Sequence, residues 1–388
     1  MVTTTIAKQQ MPPGLAPVSL GRLARYFLRL GTLGFGGPIA LAGHMHQDLV
    51  EKNRWIAKEE YVEGLALAQL APGPLAAQLA IYLGYVRNGL LGATAVGTAF
   101  ILPSFLMVLA VSAVYVRFGG LRWMQAIFYG IGAAVIAIIA RSAFRLTKLT
   151  LGKDKLLWGI FGVLGVSTAW TSREIVWLFL IAGIAAMLVK APPKLKKVNY
   201  RPIVIYLSLP AFSLGGGLLQ IFLYFAKAGM FVFGSGLAVV PFLYGGVVHD
   251  HHWLSEQQFL DAVAVAMITP GPVVITVAFI GYLIAGFAGA SAAALGMFIP
   301  VYLVVVILAP SYKRWAKNPQ VNAFVQGVTA AATGAIAGAV VVLARRSIYD
   351  VATAVIALVT FAVLLRWKLP EPLLIGCAAI AGLVLKAV

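Results

Sequence analysis

The chain has 388 residues, 61% of them hydrophobic and 11% charged, with a mean hydropathy of +0.93. Soluble globular domains carry about 25% charged residues, so this composition excludes that class. The net charge of +18 would favour nucleic acid in a soluble chain, but here Lys and Arg fall in short loops and at segment ends, where they orient helices and meet anionic headgroups, so no nucleic-acid partner is expected.

In chain order, residues 1–20 are polar and contain no apolar stretch of signal-peptide type, so a cytoplasmic tail over 1–17 is expected rather than a cleaved leader. Residues 18–30 carry Arg22, Arg25 and Arg29 at spacings of three and four, a basic stripe expected on an amphipathic surface helix. A first crossing follows, rich in glycine (Gly31, Gly34, Gly36, Gly37) and closed by Pro38. After a polar stretch holding Trp55 as an interface anchor comes an apolar segment over 61–86, interrupted by Pro72-Gly73-Pro74. Apolar runs at 90–116, 123–140, 175–189, 281–310 and 351–365 are long enough to cross the roughly 30 Å hydrocarbon layer as helices. The alternating segments of a β-barrel are absent, which leaves an all-α polytopic membrane protein. The lone Cys377 excludes an internal disulfide and reads as a small packing residue.

The sequence repeats. Gln69-Leu-Ala-Pro72-Gly73-Pro74 returns as Met267-Ile-Thr-Pro270-Gly271-Pro272, a shift of 198 from 72 to 270. The same shift carries Gly31-Thr-Leu-Gly-Phe-Gly36 onto Gly229-Met-Phe-Val-Phe-Gly234, Trp55 onto Trp253 and Glu63 onto Asp261. Two related halves, each with a Pro-Gly-Pro-broken helix, is a pattern of secondary transporters. The expected division is a first repeat over 18–190, a basic cytoplasmic linker over 191–202, and a second repeat over 203–388 with one extra crossing at 203–225. The basic clusters at 145–155 and 190–201 belong inside by the positive-inside rule. With the extra crossing, the second repeat is inverted, and Lys313, Arg314, Lys317, Arg366 and Lys368 join them there.

Proline removes a backbone donor and glycine lets the chain leave helical angles, so each Pro-Gly-Pro frees carbonyls on one side and N–H groups on the other. The half-helices that begin near Pro74 and Pro272 then present positive dipole ends, which suit an anion. Candidate substrate contacts are Gly36, Gly37, Pro72, Gly73, Pro74, Gly234, Pro270, Gly271 and Pro272, with Gln69, Gln78, Ser235, Thr269 and Thr276 as neutral donors. Arg29 and Lys227 occupy equivalent positions before the glycine-rich segments and are candidate compensating cations, whereas Lys386 near the C-terminus is expected to matter little. Glu63 and Asp261, nine residues before each Pro-Gly-Pro, are proton-coupling candidates. The run His249-Asp250-His251-His252 lacks the spacing of a helical zinc site and reads as a solvated loop. No enzyme motif appears, and neither an enzyme activity nor a cofactor is expected.

These residues resemble the chromate ion transporter family in its long two-domain form. The likeness rests on Phe35-Gly36-Gly37-Pro38, the Trp55 segment, Ala68-Gln69-Leu-Ala-Pro72-Gly73-Pro74 and Phe100-Ile-Leu-Pro103-Ser104, with a weaker copy at Phe233-Gly234-Ser235-Gly236, Trp253 and Thr269-Pro270-Gly271-Pro272. Leu41 departs from the family's histidine after Gly-Gly-Pro-x-Ala, and Gly236 stands where the first half has Pro38. The resemblance implies proton-driven chromate efflux across the bacterial inner membrane, with the N-terminus cytoplasmic. Import or exchange of sulfate, a structural mimic, is the alternative. The partners implied are an inorganic oxyanion, membrane lipid and, for assembly, a homodimer.

Overall fold

The computed structural model describes residues 15–35, 37–118, 121–171, 176–192, 217–230, 232, 239–312, 318–367 and 369–386. The described residues are helical, with no strand among them. In the first half lie α1 (Leu20–Leu33), α2 (Gly37–Met45, continued by a π turn His46–Lys52), α3 (Lys58–Leu70), α4 (Leu75–Phe118), α5 (Arg122–Leu151), α6 (Lys155–Thr171) and α7 (Val176–Lys190). The second half repeats the series: α8 (Gly217–Met230), α9 (Val239–Tyr244, with a π turn Gly245–Asp250), α10 (Glu256–Ile268), α11 (Thr276–Leu308), α12 (Pro319–Ser347), α13 (Val351–Arg366) and α14 (Glu371–Lys386). Polar caps set several starts: Ser19 accepts from Arg22 N–H, Ser255 from Gln258 N–H, Asn318 from Gln320 N–H and Asp350 from Thr353 N–H.

Two hairpins precede the long crossings of each half. In the first, α1 and α2 run antiparallel, since the Tyr26 hydroxyl reaches Asp48 of the π turn at 3.3 Å. The sequence reading of a surface helix followed by a separate crossing is therefore corrected. Leu23, Phe27 and Leu30 are buried against α4 while Arg22, Arg25 and Arg29 face outward, so α1 is one arm of a hairpin whose tip carries the glycines. In the second hairpin, the Tyr82 hydroxyl donates to Glu63 at 3.4 Å and Arg87 pairs with Glu60, which lays the first stretch of α4 back along α3. Gly64 permits the approach, because a Cβ there would meet the Tyr82 ring at 2.3 Å. The segment 61–86 is thus two arms meeting at Pro72-Gly73-Pro74 and not one crossing. Each 13-residue arm is roughly 20 Å long. The second half matches: the Tyr224 hydroxyl donates to Phe242 O at 3.1 Å across α8 and α9, and α10 packs on α11.

Helix α4 is itself folded. At Asn88–Gly89 the backbone leaves helical angles, with Gly89 at φ 57 and ψ −144, a conformation open to glycine and strained for any side chain. A Cβ on Gly84 would lie 2.3 Å from Gly92 O, whereas residues eight apart on a straight helix are about 12 Å apart. The chain therefore reverses here and then crosses along 90–118. Gly286 (φ 58, ψ −148) makes the same reversal in α11, where a Cβ on Gly281 would lie 2.3 Å from Gly289 O.

The halves interlock. Helix α12 packs against α6 and α7 of the first half, and α5 packs against α13 and α14 of the second. Small residues allow it: Gly334 rests on Phe161 O and Gly338 on Gly165 O, while Gly130 meets Ala378 O and Gly382 meets Ala126 O. Large apolar side chains point outward along the crossings, and Trp158, Trp170, Trp177 and Trp367 sit at helix ends, as in a lipid-facing belt. Cys377 is exposed on α14, contrary to its expected packing role, because the helix turns its small face elsewhere, at Gly382. The extra crossing expected at 203–225 lies outside the described residues up to 216, as do Lys313, Arg314, Lys317 and Lys368.

Candidate functional site

The hairpin tips of opposite halves bind one another through the backbone. Gly271 N–H donates to Gly34 O at 2.9 Å, and Gly73 N–H donates to Val232 O at 2.6 Å. These are the same bond made twice, since 271 and 232 are the repeat equivalents of 73 and 34. Both central glycines hold left-handed backbone, φ 139 at Gly73 and φ 99 at Gly271. Neither has room for a Cβ, which would meet Gln78 Nε2 at 2.6 Å or Ser104 Oγ at 2.0 Å. Gly31, beside the first tip, rests on Phe100 O, and its counterpart Gly229 rests on Met297 O.

Each predicted site residue can be located against this crossing. Gly73 and Gly271 form it, and their N–H groups, expected to be free for an anion, are bonded to the other half's carbonyls. The freed donors lie one step further on, at the buried first turn of α4 (Leu75, Ala76, Ala77), whose N–H groups have no hydrogen-bond partner among the described residues. Pro72 O accepts from Gln78 Nε2 at 2.7 Å. Gln78 is fully buried, and its Oε1 has no partner. Pro74, Pro270 and Pro272 flank the tips, and Gly37 opens α2 at φ 72 with open space around it. The hydroxyls of Thr269 and Thr276 are spent on their own helix, donating to Val265 O at 2.7 Å and Val273 O at 2.8 Å. This back-bonding corrects their reading as donors free for substrate. Gln69 is exposed on α3. Gly36, Gly234 and Ser235 lie outside the described residues.

The candidate charges sit away from the tips. Arg29 and Lys227 are exposed on α1 and α8, and Arg29 lines a cavity of about 460 Å³ with Tyr26, Asp48 and Lys52. Glu63 lies on α3 within the second hairpin, bonded to Tyr82. Asp261 is buried on α10, where its two oxygens accept from the Tyr115 hydroxyl at 2.6 Å and the Gln257 amide at 2.9 Å. Tyr115 belongs to the first half, so this bond again joins the two repeats.

Sequence reasoning passed over Tyr115 and Arg122, and took Ser104 only as part of a family motif. Extending the repeat would have exposed the first: past the Pro-Gly-Pro the shift falls to 197, as Gly89 and Gly286 show, so Tyr115 maps onto Tyr312, which faces Glu63 closely enough to feel its charge. Lys386, expected to be inert, stands over the Tyr129 ring at 4.7 Å and lines a cavity with Asp261. The His249–His252 stretch holds no metal-type cluster among the described residues; His251 stacks on Trp253 at 4.4 Å.

Two stretches of the chain, residues 21–187 and 219–383, match the family described as chromate transporter. The chain is 62% identical over 373 residues to the chromate transport protein of Cupriavidus metallidurans, covering 94% of this chain and 93% of that one. It is 57% identical over 378 residues to a protein of Synechococcus elongatus named "Probable chromate transport protein" (94% and 95% covered), and 30% identical over 410 residues to the chromate transport protein of Pseudomonas aeruginosa (98% and 95%). No solved structure matches. The chain belongs to the chromate transporter family.

Proposed function

We propose that this member of the chromate transporter family is a secondary transporter that exports chromate across the bacterial inner membrane, driven by the proton-motive force. The observation that carries the reading is the reciprocal crossing of the hairpin tips. It buries the N-terminal turn of α4 and the Gln78 amide where the two halves meet, and buried amides without partners are costly unless a ligand or cavity satisfies them. A tetrahedral dianion is such a ligand, held by N–H groups and a helix dipole. Glu63 and Asp261, each packed among tyrosines near a hairpin, are the groups proposed to carry protons. Arg29 on α1 and Lys227, its equivalent on α8, are proposed to draw the anion inward.

The repeats are read as inverted, with the N-terminus cytoplasmic. Thr94, near the start of the crossing stretch of α4, meets Tyr302, near the end of α11, at 2.9 Å, and at the shift of 197 that relates Gly89 to Gly286 the repeat equivalents of these residues are 291 and 105. Under the exchange seen in the glycine bonds, this contact requires the two helices to run antiparallel, which fits a twofold axis in the membrane plane.

Uptake of chromate into inside-out vesicles bearing an imposed proton gradient tests the reading. Accumulation that collapses with the gradient is expected, and Gln78→Met at equal membrane abundance should lose most of it. Gradient-independent uptake would refute the coupling, and sulfate transport with no chromate transport would favour the sulfate alternative.

A further inference from the structure

On the face of the protein where α5, α10 and α13 begin and α14 ends lies a cavity of about 710 Å³. A water's share of the liquid is about 30 Å³, so this volume admits an oxyanion with part of its hydration shell. Its polar lining is rich in donors: the Arg122 guanidinium, the Lys386 ammonium, and the amides of Gln125, Gln257 and Gln258. The carboxylates nearby have their oxygens occupied by protein donors. Asp261, on the cavity wall, accepts from Tyr115 and Gln257. Asp350, close to Lys386, accepts from the Tyr129 hydroxyl at 2.6 Å and from Thr353 N–H at 2.8 Å. Arg122, by contrast, makes no ion pair with a described residue and stands at the first turn of α5, where the helix dipole adds to its charge.

The repeat offers a comparison. Towards the end of each half the shift is 196, as the helix-capping pair Asp154 and Asp350 shows, so Lys386 corresponds to Lys190, which is consumed by Asp154 at 2.5 Å and by Gln326 at 2.7 Å. Arg122 corresponds to Pro319, which carries no charge.

We propose that this cavity is an oxyanion-binding vestibule, separate from the hairpin tips, in which Arg122 and Lys386 hold a tetrahedral dianion and Asp261 forms the wall between vestibule and protein core. That the held anion is transport cargo rests on the function proposed above. The binding itself does not, and it can be measured without transport.

The test uses the full chain, purified in detergent, carrying Cys377→Ser and Gln125→Cys, so that one thiol reports on the cavity. Its reaction rates with a negatively and a positively charged methanethiosulfonate are compared, with and without sodium sulfate at constant ionic strength. The anionic reagent is expected to react faster, and sulfate to slow both. Adding Arg122→Gln and Lys386→Gln should lower the anion-to-cation rate ratio about tenfold, the low end of what focused charge does to local ion concentration, and abolish the sulfate effect. The charge-keeping pair Arg122→Lys and Lys386→Arg should retain both, which separates lost charge from lost folding. A ratio that shifts less than about twofold on neutralisation, or sulfate protection that survives it, overturns the vestibule. If the unsubstituted chain moves neither chromate nor sulfate, the proposed function fails, while the thiol ratio still decides the vestibule.

Discussion

Gly271→Ala is the sharpest perturbation of the tip crossing. The residue sits at φ 99, where an L side chain is strained, and that strain costs about 1–2 kcal/mol. The added Cβ would also stand 2.0 Å from Ser104 Oγ, 3.1 Å from Ser104 Cβ and 3.3 Å from Gly31 O. Overpacking of this kind costs about 1–3 kcal/mol, so the two effects together come to about 2–5 kcal/mol. Part of the overlap is removable. Ser104→Gly deletes the Oγ and Cβ that the methyl meets but leaves the dihedral strain, so in a double-mutant cycle it should recover about 1–3 kcal/mol. Gly132→Ala in α5 is the control, since nothing lies within 4 Å of its Cβ position. Thermal unfolding of purified protein, followed by tryptophan fluorescence, reads all four variants. A Gly271→Ala protein that melts with the Gly132→Ala control, or a Ser104→Gly background that gives no relief, would refute the crossing as described.

The Glu60–Arg87 pair closes the open end of the second hairpin with side chains 25% and 11% exposed. Arg87→Met should therefore destabilise by about 1–3 kcal/mol, below the value for a fully buried pair, and adding Glu60→Gln should cost less than the sum of the two single changes, as measured by the same melts. Asp154 is held below the ordinary carboxylate range, first by its hydrogen bond to Lys190 and then by the N–H groups of Leu157 and Leu156 that it caps. Its contribution is then present above about pH 4 and lost as pH falls through the depressed value, so the melting difference between the unsubstituted chain and Asp154→Asn should be constant near neutrality and shrink only in acid. For topology, Asn318→Cys in a Cys377→Ser background should resist an impermeant thiol reagent in intact cells, whereas Gln125→Cys should react. Labelling of both from outside would point to parallel halves.

Much of this protein was legible one residue at a time. A composition of 61% hydrophobic residues leaves helices in lipid as the one economical solution for the backbone, and the shift of 198 between the two Pro-Gly-Pro segments marks two halves because related sequences keep their spacing. Proline and glycine also say where a helix must stop. They do not say where the chain goes next. Whether the segment after Pro74 continues across the bilayer or turns back along α3 depends on Gly64 meeting Tyr82 and on Glu60 meeting Arg87, contacts between residues on different helices. The Asn88–Gly89 dipeptide is a visible turn signal, yet its twin Ala285–Gly286 is a weak one, and the two share one geometry because the glycine packing around them is the same. The bonds from Gly73 to Val232 and from Gly271 to Gly34 could not be read from either half alone. Each tip is satisfied by a carbonyl roughly 160 or 240 residues away, and hydrophobic periodicity, which reports a helix's own face, carries nothing about which distant backbone will meet it.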